Sequence, residues 1–177
     1  MNPLISRSLF HLGGDKMKKI NEHVIYRREM CVIEDIQKIG SKDYYTLSIF
    51  NDPSLKVKIP ADNETLIDPV MTKKEALELI DEIQHIGVLD VGERNLDLEY
   101  KKLFNTKDRK DLIKIIKTTY LRNTARKENG KKAQEKDSIY FERAEKYFYS
   151  ELAYVLDMPI KEVKKFVYDK VQEKENN

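Results

Sequence analysis

The sequence predicts an α+β fold, a small curled β-barrel followed by an all-α helical bundle, and three observations lead there. Between His23 and Ile59, short segments rich in β-branched and aromatic residues alternate with turn residues. After Val70 the apolar spacing lengthens to three and four residues, the mark of helices packed on one face. At 177 residues the chain can bury one sizeable core or two small ones.

The strands come first. They are HVIYR (23–27), MCVIEDI (30–36), YYTLSIF (44–50) and LKVKI (55–59). In the last, Leu55, Val57 and Ile59 share one face and Lys56 and Lys58 the other. Gly40-Ser41 and Asn51-Asp52-Pro53 supply turn chemistry between them. Strands this short do not hold a flat open sheet in isolation, so the sheet is expected to curl into a barrel. Pro60 is expected to end it, since proline lacks the N–H that a central ladder needs.

The helices follow. Thr72 and Glu75 form a capping box ahead of Ala76, Leu79, Ile80 and Ile83, and Gly87 is the stop. Asn95 is expected to cap a helix through Phe104, and Asp108 a third carrying Leu112, Ile115, Ile116, Thr119 and Tyr120. Residues 127–136 read as a polar loop. A long helix over 138–156 presents Phe141, Ala144, Phe148, Leu152 and Val155, and Pro159 suits the first turn of a last helix carrying Ile160, Val163, Phe166, Val167 and Val171. The expected division is a loose leader over 1–16, broken at Gly13-Gly14 with Met17 as a candidate start, a β domain over 17–70 and a helical domain over 71–177.

Charge is unevenly spread. Residues 101–136 hold thirteen Lys or Arg against four acids, a local charge of +9, while the whole chain is +2. The first 100 residues carry −5 and the last 41 carry −2. Such asymmetry points to a polyanionic partner for the basic middle, or to no more than the solvated faces of a charged helical protein. Cys31 stands alone, which excludes an intrachain disulfide and a four-thiolate zinc site and suits a reduced, cytoplasmic setting. No apolar run approaches 18 residues, so no membrane helix is expected.

Catalytic motifs are missing. There is no Gly-rich phosphate loop, nucleophile elbow or i, i+4 metal-ligand pair, and His11, His23 and His85 are scattered. The expectation is a protein without enzymatic activity, cofactor or metal. Residues 150–171 have the outline of a helix-turn-helix, with Lys161, Lys164 and Lys165 on the second helix. No Arg, Asn or Gln to read base edges occurs from 160 to 171, so the unit is taken as a packing corner. The basic middle suits phosphate contacts, which position without reading sequence. In ERNLDLEY (93–100), Leu96 is either an apolar wedge or the first core residue of its helix.

The order of these segments resembles the CarD/CdnL family of bacterial transcription regulators over roughly residues 19–171. The similar stretches are KINEHVIYRREMCVIEDI, LKVKIPADN, NLDLEYKK, IIKTTYLR and RAEKYFYSELAYVL. The resemblance implies a Tudor-like or SH3-like N-terminal domain that binds the RNA polymerase β subunit. It also implies helices that touch promoter DNA upstream of the melted region and stabilise the open complex. Under it, Lys58 matches a polymerase-contacting position, and Arg27, Arg28, Lys38 and Lys56 join it. Lys101 and Arg122 match phosphate-contacting positions and Lys136 lies near another, with Lys102 and Arg126 beside them and Leu96 where many members place a wedge Trp. Two departures stand out. Asp97, Leu98 and Glu99 replace the arginines that follow the wedge, and YRREM (26–30) replaces a turn that usually contains Pro and Gly. A monomer is expected. The other readings are a Tudor-like protein-interaction module without DNA binding, and an RNA-binding protein using the basic helices on A-form backbone.

Overall fold

A computed structural model describes residues 17–175; the expected leader over 1–16 lies outside the described residues. The fold is α+β, a five-stranded antiparallel sheet followed by five helices. The strands are β1 (His23–Tyr26), β2 (Glu29–Ile39), β3 (Lys42–Ile49), β4 (Asp52–Pro60) and β5 (Ile67–Pro69). Their order is β4-β3-β2-β1-β5. The sheet is open, with β4 and β5 at its two edges, so its hydrogen-bond ladder does not close into the expected barrel. Nor does it end at Pro60. Pro60 completes the edge strand β4, and the chain then returns to pair Ile67, Asp68 and Pro69 with β1. Three residues containing a proline carry too weak a β signal to read in advance; an edge position tolerates them because one side needs no N–H.

Two turns in the sheet matter later. Gly40 turns β2 into β3 at φ +63°, where a side chain would be strained. Arg27 and Arg28 turn β1 into β2, and both have positive φ, +48° and +72°. That is the geometry of a two-residue hairpin normally filled by Asn-Gly. The segment YRREM therefore makes the tight turn without glycine.

The helices are α1 (Lys73–Glu82), α2 (Leu96–Phe104), α3 (Arg109–Glu128), α4 (Glu135–Leu156) and α5 (Ile160–Glu175). Thr72 and Glu75 form the capping box on α1, and Asp108 caps α3 through Lys110 N. Asn95 precedes α2 but its side chain makes no cap bond. The loop expected over 127–136 is shorter, because α3 runs to Glu128 and α4 begins at Glu135. At the α4–α5 corner Asp157 adopts φ +53°, and Met158 N donates to Ala153 O.

Buried apolar residues form two clusters. Val24, Cys31, Ile33, Tyr45, Leu47 and Ile59 fill the sheet, and Tyr100, Ile115, Leu152 and Val163 lie at the centre of the helices. Leu55, expected inside, is exposed because β4 runs off the core at that end. Between the clusters the contact is mixed, hydrogen bonds and ion pairs together with Tyr154 stacked on His23 and edge-on to Phe50. The apolar stripe Ala144, Phe148 and Leu152 of α4 faces the helical core. Lys146, Ser150 and Tyr154, four residues apart, meet Glu29, Asn51 and His23 of the sheet.

Candidate nucleic-acid interface

Most of the basic middle already has partners within the chain. Lys101, Lys102, Lys107, Arg109, Lys110, Lys114, Arg122 and Lys136 each pair with a carboxylate. Lys117 caps the carbonyls of Ile83, Gln84 and Ile86, and Arg126 donates to Lys132 O. Only Lys127, Lys131 and Lys132 have side-chain charges without such a partner among the described residues of this block. A +9 segment is thus largely neutralised, in part by acids three or four residues away on the same helix and in part by acids distant in sequence.

Which of these pairs could yield to a phosphate depends on burial. The Asp137 side chain is 3% exposed, and it accepts from Arg122 Nε at 2.9 Å and from the Tyr100 hydroxyl at 3.2 Å. Removing Arg122 from it would leave a buried charge unpaired, a cost of about 3–5 kcal/mol. Arg122 also reaches Gln134 and Glu93. It is a packing cation that holds α3 to the start of α4, not the free phosphate contact expected of it. Lys101 and Lys136 differ. Both sit on Asp97, at 2.7 and 3.1 Å, but each keeps more than half of its side-chain surface in water. Exposed pairs of this kind contribute about 0–1 kcal/mol, so a phosphate can replace them. Lys101, with the Tyr140 hydroxyl and Lys136, holds the Asp97 carboxyl well below the usual carboxylate range.

Leu96 is not a wedge. It is 4% exposed and belongs to the helical core. The reason is helical phase: Leu96, Tyr100, Leu103 and Phe104 recur at four, seven and eight residues and form the inward stripe of α2. Leu98 falls outside that stripe and is 65% exposed, on the outward face with Lys101 and Lys102. The same periodicity, applied to residues 96–104, was the signal that could have found Leu98 in the sequence.

The turn between α3 and α4 carries the remaining lysines of the basic middle. Gly130 has φ +69°, Lys131 N donates to Arg126 O, and Gln134 N donates to the Asn123 side chain. This ordered turn presents Lys127, Lys131 and Lys132 to solvent, close in sequence to Lys136 at the start of α4. The candidate surface is therefore Leu98, Lys101 and Lys102 on α2, this turn, and Lys136.

The five residues expected to contact polymerase divide. Lys56 pairs with Glu34 and Lys58 donates to Gln37, both at 2.8 Å across the exposed face of the sheet, and Lys38 stands near the end of β2. Arg27 lies exposed in the β1–β2 turn, at the other end of β2. Arg28 turns inward and donates to Leu103 O, Phe104 O, Asp108 O and the Thr106 hydroxyl, capping the C-terminal end of α2. It fastens the sheet to the helices, and burial pulls its pKa down.

The chain matches no family model and no curated protein. The family resemblance rests on the quoted segments alone. No described helix is long and apolar enough to cross a membrane.

Proposed function

We propose that this protein is a CarD/CdnL-type transcription regulator without enzymatic activity. In this reading a Tudor-like N-terminal sheet docks on the RNA polymerase β subunit. The helices meet promoter DNA at the upstream edge of the melted region and stabilise the open complex. The observation that carries the DNA half is the outward face of α2, where exposed Leu98 is flanked by Lys101 and Lys102, and where Lys136 of α4 shares Asp97 with Lys101. An apolar side chain among replaceable cations is what a minor-groove contact requires: an apolar side chain to enter between base steps and charges to bind the flanking phosphates. The open sheet, with Lys56 and Lys58 on the exposed edge strand β4, supports the polymerase half.

One observation favours a second reading, a protein-interaction module without DNA binding: ten of the thirteen cations in the basic middle already have internal partners. Salt dependence separates the two. The test is retention of purified core RNA polymerase by the full chain and by Lys56→Glu/Lys58→Glu, alongside promoter open-complex lifetime with Lys101→Glu/Lys136→Glu. The proposal expects the first variant to lose polymerase and the second to keep polymerase but shorten the complex. Polymerase retention with no effect of the second variant, and no salt-dependent DNA binding, would favour the interaction module. No retention of polymerase would remove the first reading.

A further inference from the structure

A cleft of about 570 Å³ opens between the β1–β2 turn and the C-terminal end of α2, away from Leu98. Five cations line it: Arg27, Arg28, Lys107, Arg109 and Arg143. The acids there are Asp68 and Glu151, and each is engaged, by Lys107 at 2.6 Å and by Arg109 at 2.7 Å. Three guanidinium groups thus face one cleft with no carboxylate in ion-pair contact among the described residues. Two of them keep most of their donors. Arg27 makes no hydrogen bond among the described residues, and Arg143 uses only Nη2, on the Tyr147 hydroxyl at 3.3 Å. What positions these two is ring contact. Arg143 lies 4.7 Å from the centroid of Phe104, and Arg27 lies 5.3 Å from that of Tyr26. Stacking of this kind holds a guanidinium in place while leaving its N–H groups available.

The backbone supplies an independent observation. Arg27 and Arg28 occupy left-handed positions that Asn and Gly fill at lower cost, and both side chains line this cleft. Strained residues gathered at a cavity point toward function there. We propose that this cleft binds a small phosphorylated ligand of nucleotide size, its phosphates held by Arg27 and Arg143 and its body resting against Tyr26 and Tyr147. Arginine forks match phosphate oxygens two at a time, and the volume suits one small molecule rather than a length of strand. The site goes beyond the polymerase and DNA contacts and does not depend on them.

Isothermal titration of the full chain with adenosine triphosphate, and separately with inorganic triphosphate, tests this. Saturable binding at one site per chain is expected. Arg27→Gly/Arg143→Gln should weaken it about tenfold or more. Glycine suits the turn and Arg143 is exposed, so this variant keeps its fold. Lys161→Gln/Lys165→Gln, on the exposed side of α5, should leave binding unchanged. Tighter binding of the nucleotide than of inorganic triphosphate supports the proposal, whereas equal binding keeps the phosphate contact but overturns the contact of the ligand's body with the rings. It is overturned if neither probe saturates, if the arginine variant binds like wild type, or if the α5 variant weakens binding equally.

Discussion

Replacing Arg109 by Met removes the partner of the most buried carboxylate at the junction between sheet and helices. The Glu151 side chain is 6% exposed and accepts from Arg109 Nη2 at 2.7 Å, Arg109 Nε at 3.1 Å and Met71 N at 2.8 Å. Arg109 also donates to Pro69 O at 2.9 Å, so one guanidinium ties β5 and the following linker to α3 and α4. Methionine fills much of the stem volume and leaves Glu151 charged, buried and bonded to a single backbone N–H. Breaking a buried pair costs about 3–5 kcal/mol. Arg109 keeps 27% of its side-chain surface exposed, so water can enter the vacated place, and we expect the lower end, about 3 kcal/mol. For a chain of this size that lowers Tm by about 6–12 °C. Urea unfolding followed by circular dichroism reads the change, and Arg109→Met/Glu151→Gln should recover most of it because the stranded charge is gone. A loss under about 1 kcal/mol, or a double variant no better than the single one, would refute the reasoning.

Leu96→Ala should cost about 2–5 kcal/mol of stability, whereas Leu98→Ala should change it by less than about 0.5 kcal/mol. Of the two, only Leu98→Ala should shorten open-complex lifetime without unfolding the protein; the opposite pattern would return the wedge to Leu96. Asp97→Asn frees Lys101 and Lys136 while still accepting from Tyr140, so promoter duplex should bind severalfold tighter in fluorescence anisotropy, with a steeper salt slope. An unchanged affinity and slope would place the DNA surface elsewhere. Burial, aided by Glu29, pushes the Cys31 thiol from 9.0 up to about 12, and burial with Glu145 pushes Tyr149 from 10.0 up to about 12. Both folded values lie above the unfolded ones, so the unfolded chain releases its protons first. Their stabilisation is complete below about pH 9 and drains as pH climbs toward 12. A urea midpoint that stays constant from pH 8 to 11 would contradict this.

Elements whose signal lies within a few residues were legible in the sequence. The capping box at Thr72 and Glu75 and the Asp108 cap appear where spacing placed them, as do Ala144, Phe148, Leu152 and Val155 of α4 and Val163, Phe166, Val167 and Val171 of α5; Phe141 stays outside the core and Ile160 is exposed. The change from strands to helices after Val70 was legible too. β5 was not legible, because its three residues join the sheet only through pairing with β1, 43 residues earlier at Ile25 and Asp68. The charge of the basic middle was legible, and so were its local pairs Lys101–Asp97, Lys102–Glu99 and Lys114–Asp111, but its long-range neutralisation was not. Arg109 meets Glu151 and Lys107 meets Asp68 across about 40 residues, and no local pattern announces such pairs.

By itself, then, the sequence determined the order of strands and helices, the excess of positive charge in the middle, and the segments that resemble a regulator family. Tertiary structure alone decided which charges remain available, that the sheet stays open with β5 at its edge, and that Arg28 turns inward to cap α2. The physical reason is range. Backbone propensity and apolar period act over one or two helical turns, so a short window of residues encodes them. Burial and ion pairing depend on which distant groups share a low-dielectric space, and that is settled only when the chain has packed.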